Sequence, residues 1–296
     1  MKIPIGRAAR VIYAVIFGGL PLSSLCSAES GFSTHARRAI VDQLAQYESK
    51  KSCMPHDFGI AIDVGHTIEA PGALSARGMT EYSFNLKLAN RIVQKLREAG
   101  YENTHLIVAR GIGRAQLMQR SRRANLIKAD LFLSLHHDDV QPTYYEKWAY
   151  NGRVHHFSDR FSGYSLFISH QNQYPIESLH FAKLLGAELS SRGMKFSAHH
   201  SENIVGERRQ ILDPARGVYR FDELVVLKTT KAPAVLLEAG IIVNREEELV
   251  LASSERQEEI GAAVLAAVTR FCGEQQQGLL MEALPLNSSY EQIDQR

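Results

Sequence analysis

An α/β fold is predicted for this chain: a single domain with a mostly parallel, twisted sheet of about six strands and helices on both faces. Short β-rich apolar runs alternate with helix-period segments from Phe58 onward. Helical segments close on glycine stops, as at Gly100 and Gly193. The chain has 296 residues, near the upper range of roughly 250–300 for a single core.

The elements follow in order. "FGIAIDVGH" places a short strand over Phe58 to Val64, closed by glycine. "EYSFNLKLANRIVQKLREAG" sets Phe84, Leu88, Ile92 and Leu96 on one helical face. "HLIVAR" reads as the second strand, "AQLMQRSRRANLIKA" as the second helix and "DLFLSLH" as the third strand. "YSLFISH" is a fourth strand and "IESLHFAKLLGAELSSRG" a helix. "ELVVLK" and "PAVLLEAG" read as two further strands, and "SERQEEIGAAVLAAVTRF" as the closing helix.

The first residues have the order of a secretory signal. Lys2, Arg7 and Arg10 precede an apolar run from Val11 to Leu25, and small residues end at Ala28. Gly18, Gly19 and Pro21 break that run well short of the ~20 residues a membrane span needs. The expected organisation is a signal peptide over 1–28, a polar, partly helical extension over 29–57, the main α/β domain over 58–272 and a flexible polar tail over 273–296. Cleavage removes three positive charges and changes the formal net charge from +2 to −1. A near-neutral chain gives no electrostatic case for nucleic acid, and no transmembrane anchor is expected after cleavage. Cys53 and Cys272 then remain. In an exported chain they can form a disulfide joining the ends of the domain, or stay two buried thiols.

Polar residues interrupt the strand ends. His66 follows the first strand, His136 ends the third and Glu238 ends a late one. In open α/β sheets ligands collect beyond the carboxyl ends of strands, so these residues can meet. Glu81 opens the first helix after Thr80, where the helix dipole favours a carboxylate. Two imidazoles and a carboxylate are suitable ligands for a hydrolytic zinc, and a further carboxylate can carry the proton. That assigns His66, Glu81 and His136 to the metal and Glu238 to acid–base work. Spacing alone leaves strand-end structural roles open for each.

Several ordered motifs carry a resemblance. "IAIDVGH" followed by Pro71 to Ala73, "GMTEYSFNLKLANRIVQKLREAGY", "VARGIGRAQLMQRSRRANLIKADLFLSLH" and "RGVYRFDELVVLKTTKAPAVLLEAGIIVN" succeed one another from about Phe58 to Phe271. Together they resemble the catalytic domain of zinc-dependent N-acetylmuramoyl-L-alanine amidases, bacterial cell-wall hydrolases. The resemblance implies one Zn2+, the same ligand set and a catalytic Glu238. The implied reaction is hydrolysis of the amide between N-acetylmuramic acid and the L-alanine of the stem peptide. It also implies a peptidoglycan substrate in the periplasm or cell wall, a role in wall remodelling or daughter-cell separation, and room for a regulatory activator protein. Two other readings share the fold: a catalytically silent peptidoglycan-binding domain, and a zinc peptidase cutting within the stem.

The chain departs from the family where "TIEAPG" follows His66 and "HDD" follows His136. Neighbouring strand residues face opposite ways, so His136 and His137 are not expected to share a metal, and His137 is left as a rim residue. Asp63, Asp138 and Asp139 are candidates to orient ligand imidazoles, or are solvated loop charge. His155 and His156, like His199 and His200, are read as loop histidines at the surface or in a substrate groove. Arg77 and Arg110 either contact stem carboxylates or pair locally. The segment from Gln141 to Arg160, with Tyr144, Tyr145, Trp148 and Tyr150, is expected to be irregular: a regulatory insertion, a sugar-stacking wall or a packed flap.

Overall fold

The computed structural model describes residues 53–283, with side chains to residue 274. The expected signal peptide and nearly all of the N-terminal extension lie outside the described residues. No helix among the described residues is long and apolar enough to cross a membrane.

A seven-stranded mixed sheet runs in the order β2-β1-β3-β9-β6-β8-β7. Its strands are β1 (Ile60–Val64), β2 (Thr104–Ile107), β3 (Leu131–Asp138), β6 (Ser165–Ile168), β7 (Ile211–Asp213), β8 (Val218–Arg220) and β9 (Ala234–Ile241). β2, β1, β3 and β9 are parallel to one another, and β6 pairs antiparallel with β9. β8 runs with β6, and β7 returns against β8. Every residue of β1 is buried, Asp63 included, which explains why Ile60, Ala61 and Ile62 follow one another without apolar–polar alternation.

Alternation along the strands makes two cores. Ile60, Ile62, Leu131, Leu133, Val235 and Leu237 join α1 (Glu81–Glu98), α3 (Pro175–Ser191) and α6 (Ser254–Ala283) on one face. Ala61, Phe132, Phe167, Ala234 and Leu236 pack on the other, toward α2 (Gly113–Leu126) and α4 (Val225–Thr229). Burying one Leu or Ile side chain in such a layer is worth roughly 1.5–3 kcal/mol. Thr80 caps α1 by accepting from Ser83 N, and Phe84, Leu88, Ile92 and Leu96 are buried on its apolar face.

The sequence reading is corrected at several elements. "ELVVLK" leads into the helix α4, where Thr229 Oγ1 donates to the Val225 carbonyl at 2.7 Å and lies 2.7 Å from Ser121 Oγ of α2. A short apolar run carries no periodicity to separate helix from strand, and packing on α2 decides it. β7 and β8 are strands not foreseen. The segment from Gln141 to Arg160, expected to be irregular, contains a two-stranded hairpin of β4 (Glu146–Tyr150) and β5 (Arg153–Phe157). Its turn is Asn151-Gly152 with φ of 48° and 72°, a pair well suited to left-handed hairpin turns. α6 continues to Ala283, so the expected tail from Gly273 starts inside a helix. A short helix α5 (Glu247–Ala252) precedes it. Cys53 and Cys272 form a disulfide with Cα atoms 5.3 Å apart.

Candidate metal centre

β1, β3 and β9 end at one edge of the sheet, and α1 begins there. Glu81, in the first turn of α1, places one carboxylate oxygen on each of two histidines. Its Oε2 is 2.8 Å from His66 Nε2, and its Oε1 is 2.9 Å from His136 Nδ1. The imidazole rings are 4.9 Å apart and nearly perpendicular. Donor atoms of the three residues lie within 4.8 Å of one another.

The backbone makes room for this arrangement. His66 takes a left-handed φ of 66°, an uncommon conformation for a non-glycine residue. Its carbonyl accepts from Arg120 Nη2 at 2.6 Å, which helps to hold it there. A Cβ on Gly72 would lie 2.3 Å from Glu81 Oε2, and one on Gly65 2.6 Å from the His136 ring. Both positions must be glycine for the three side chains to meet. Glu81 also accepts from the amides of Ala73 and His137 at 3.2 and 3.3 Å and from Asn85 Nδ2 at 3.2 Å. Burial opposes its ionisation, but the hydrogen bonds and charges of His136 and His66 prevail and hold the carboxyl below its usual range. Burial pushes His136 down against the pull of Glu81.

Glu238 is the register partner of His136 across β3 and β9. Its Oε2 is sealed from solvent with no hydrogen-bond partner among the described residues. Burial, reinforced by the charges of Asp138 and Glu81, raises its pKa well above the usual value. A cavity of about 300 Å³ opens beside it, lined also by Asp138, Tyr145, Phe167 and Arg209.

β3 does not end at His136 but runs on to Asp138. His137 is not a rim residue: it is buried on the α1 side, with Nδ1 2.7 Å from Asn85 Oδ1, and burial lowers its pKa to about 4. Asp63 makes no hydrogen bond or ion pair to an imidazole among the described residues. It accepts from Ser134 Oγ at 2.8 Å and pairs with Arg120 at 3.6 Å. Burial raises its pKa to about 6 despite Arg120. Asp139 accepts from Tyr145 Oη and from the Val140 amide.

His199 and His200 are buried and not at the surface, His200 lines the cavity beside Glu238, and both face Asp138 at 3.3 and 2.7 Å. His155 and His156 lie on β5. His155 packs where a Cβ on Gly78 would sit, and His156 stacks on Tyr145. Arg77 pairs with Glu248 at 2.9 Å and lies over the Trp148 and Tyr150 rings, while Arg110 pairs with Glu69 at 3.8 Å. Trp148 Nε1 donates to the Ala76 carbonyl at 2.9 Å, so the hairpin packs on the loop leading to Glu81.

The sequence reading missed Asn85 and the buried place of Arg120. Asn85 lies one helical turn beyond Glu81, the i, i+4 spacing that signals a shared face.

Comparison with known proteins agrees with this architecture. A Buchnera aphidicola protein provisionally named for an N-acetylmuramoyl-L-alanine amidase is 20% identical over 223 residues, covering 72% of this chain and 95% of that one. The N-acetylmuramyl-L-alanine amidase of Mycobacterium smegmatis superposes with a TM-score of 0.56 at 18% identity, covering 74% of this chain and 98% of that one. The CwlD amidase of Clostridioides difficile, solved in complex with the GerS lipoprotein, gives 0.52 at 19% identity, covering 74% and 100%. The profile of the N-acetylmuramoyl-L-alanine amidase family matches residues 60–270, and the chain belongs to that family of peptidoglycan hydrolases.

Proposed function

We propose that this amidase holds one zinc ion through His66, Glu81 and His136 and uses Glu238 as its acid–base group. The observation that carries the reading is the contact of Glu81 with His66 Nε2 and His136 Nδ1 through separate oxygens, with Glu238 in register beside His136. Two imidazole nitrogens and a carboxylate, in a cradle that needs glycine at 65 and 72, match the donor set of a catalytic zinc. Zinc bound there supplies Lewis acidity toward an amide carbonyl and makes water a better nucleophile.

The chain's own residues do the rest. Arg120 braces the His66 backbone, and Asn85 and two amides orient Glu81. Glu238 has an unpartnered carboxylate oxygen, which in its ionised form can take a proton from the attacking water. It returns that proton to the departing L-alanine nitrogen as the lactyl amide breaks. The chain acts on peptidoglycan after export, in wall remodelling or daughter-cell separation. A regulatory activator protein belongs to the same proposal, supported by the CwlD–GerS complex on this fold.

Digestion of purified sacculi tests the reading. Mass spectrometry is expected to find free stem peptides beginning with L-alanine and intact glycan strands. Shortened stems still attached to glycan would overturn it in favour of a peptidase, and unaltered sacculi in favour of a silent binding domain.

A further inference from the structure

A second cluster of donor atoms lies outside the group around Glu81. Asp138 ends β3, and His199 and His200 begin a 3-10 turn, His199–Ser201. Asp138 Oδ2 is 2.7 Å from His200 Nε2 and 3.3 Å from His199 Nε2. Donor atoms of all three lie within 4.8 Å of one another.

Both imidazoles are held from behind. His200 Nδ1 donates to Glu207 Oε2 at 2.9 Å, and His199 Nδ1 meets Ser197 Oγ at 2.8 Å. Glu207 is itself fixed by Gln141 Nε2 at 2.7 Å and by Arg209. Partners on both Nδ1 atoms orient the rings so that two Nε2 atoms converge on one carboxylate oxygen. Metal-binding histidines are prepared in this way, with the far nitrogen tied to an outer group that sets ring and tautomer.

An ion pair alone does not account for the cluster. His200 has a carboxylate partner on each ring nitrogen, Asp138 at 2.7 Å and Glu207 at 2.9 Å. His199 Nε2 faces the same Asp138 oxygen at 3.3 Å but without hydrogen-bond geometry. Its side chain is 2% exposed, and Nε2 has no hydrogen-bond partner among the described residues, a costly state for a buried polar atom. Glu238 Oε2 is unpartnered too, and Glu238 lines the same cavity as Asp138 and His200.

We propose that Asp138, His199 and His200 bind a second divalent transition-metal ion, separate from the one assigned to His66, Glu81 and His136. Two imidazoles and one carboxylate select zinc over calcium or magnesium. The ion would fasten the segment from Ser197 to Arg209 to the end of β3 and put a fixed positive charge near Glu238. This inference does not depend on the amidase reading.

The full chain is stripped with a chelator, reloaded with excess Zn2+, desalted and assayed for metal per chain by mass spectrometry. Two ions are expected in the parent protein, with one lost in His199→Ala and in Asp138→Asn and the other lost in His66→Ala. Circular dichroism establishes that each variant folds. Anomalous scattering at the zinc edge from parent crystals locates the ions without any substitution. A single ion at saturation that His66→Ala abolishes and His199→Ala keeps would overturn the proposal, as would a second ion found elsewhere. A single ion kept by His66→Ala and lost in His199→Ala would support it and instead remove the metal from the proposed amidase centre.

Discussion

His136 and Glu238 stand side by side on neighbouring parallel strands, in register between β3 and β9. Cα partners on adjacent strands project to the same face, so a ligand-type imidazole and a carboxylate are placed side by side without help from any loop. Ser165, the antiparallel partner of Glu238 on β6, stands on its other side. Groups carried on three strands of one sheet are held more rigidly than groups on loops.

Glu238→Gln keeps the shape of the side chain and removes its proton chemistry. Its kcat on peptidoglycan fragments is expected to fall about 100- to 10,000-fold, with bound zinc unchanged by elemental analysis. Loss of metal together with activity would show that Glu238 is a ligand.

Gly72→Ala tests the cradle. The new methyl would meet Glu81 Oε2 at 2.3 Å at a backbone φ of +77°, and left-handed strain alone costs about 1–3 kcal/mol. Zinc affinity, measured by competition with a chromophoric chelator, is expected to weaken at least tenfold. Unchanged affinity would show that Glu81 does not hold the metal in this geometry.

Asp63 gives a pH signature. Burial raises its pKa from 3.8 to about 6 in the folded chain, so the native state binds the proton more tightly than the unfolded one. Stability from this group is present below about pH 4 and lost as pH rises toward 6, by up to roughly 3 kcal/mol. In urea titrations at pH 4 and pH 6.5, Asp63→Asn is expected to show a smaller loss over that interval than the parent. An identical loss would mean that Asp63 does not titrate there.

Arg120 is 1% exposed and pairs with Asp63 inside the protein. Arg120→Met leaves that carboxylate unpartnered by charge and is expected to destabilise the fold by about 3–5 kcal/mol. It also frees the His66 carbonyl, so zinc affinity should fall along with the urea midpoint. A fall in stability alone would show that the brace on His66 is dispensable.

The Cys53–Cys272 disulfide closes a span of 219 residues. The chain-entropy model assigns such a loop about 5 kcal/mol, and measured values are often smaller. Cys53→Ser is expected to lower the melting temperature, with the full chain still folded at 25 °C. An unchanged melting temperature would place the stability of this end in α6 and its packing alone.

Much of the frame was legible because its signals are local. Phe84, Leu88, Ile92 and Leu96 announce α1, and the largely apolar segments Ile60–Val64 and Leu131–Leu135, broken only by Asp63 and Ser134, announce β1 and β3. The hairpin was also written locally, in Asn151-Gly152 between strands of alternating exposure, but the aromatic residues around it drew the reading toward an irregular flap. α4 was not legible: five residues with two buried side chains fit either element until Ser121 and α2 pack against them.

The sequence by itself determined the alternation of strands and helices, the family, and the four residues His66, Glu81, His136 and Glu238 as candidates at strand and helix ends. Each of those assignments rests on periodicity and motif order, which short-range chemistry writes directly into the chain. Only the tertiary structure decided that His137 turns inward to Asn85, that Asp63 serves Arg120, and that Asp138 faces two histidines about sixty residues away. Such partners are brought together by the burial of the whole sheet, and no local pattern in the sequence records which distant side chain will fill a given buried space.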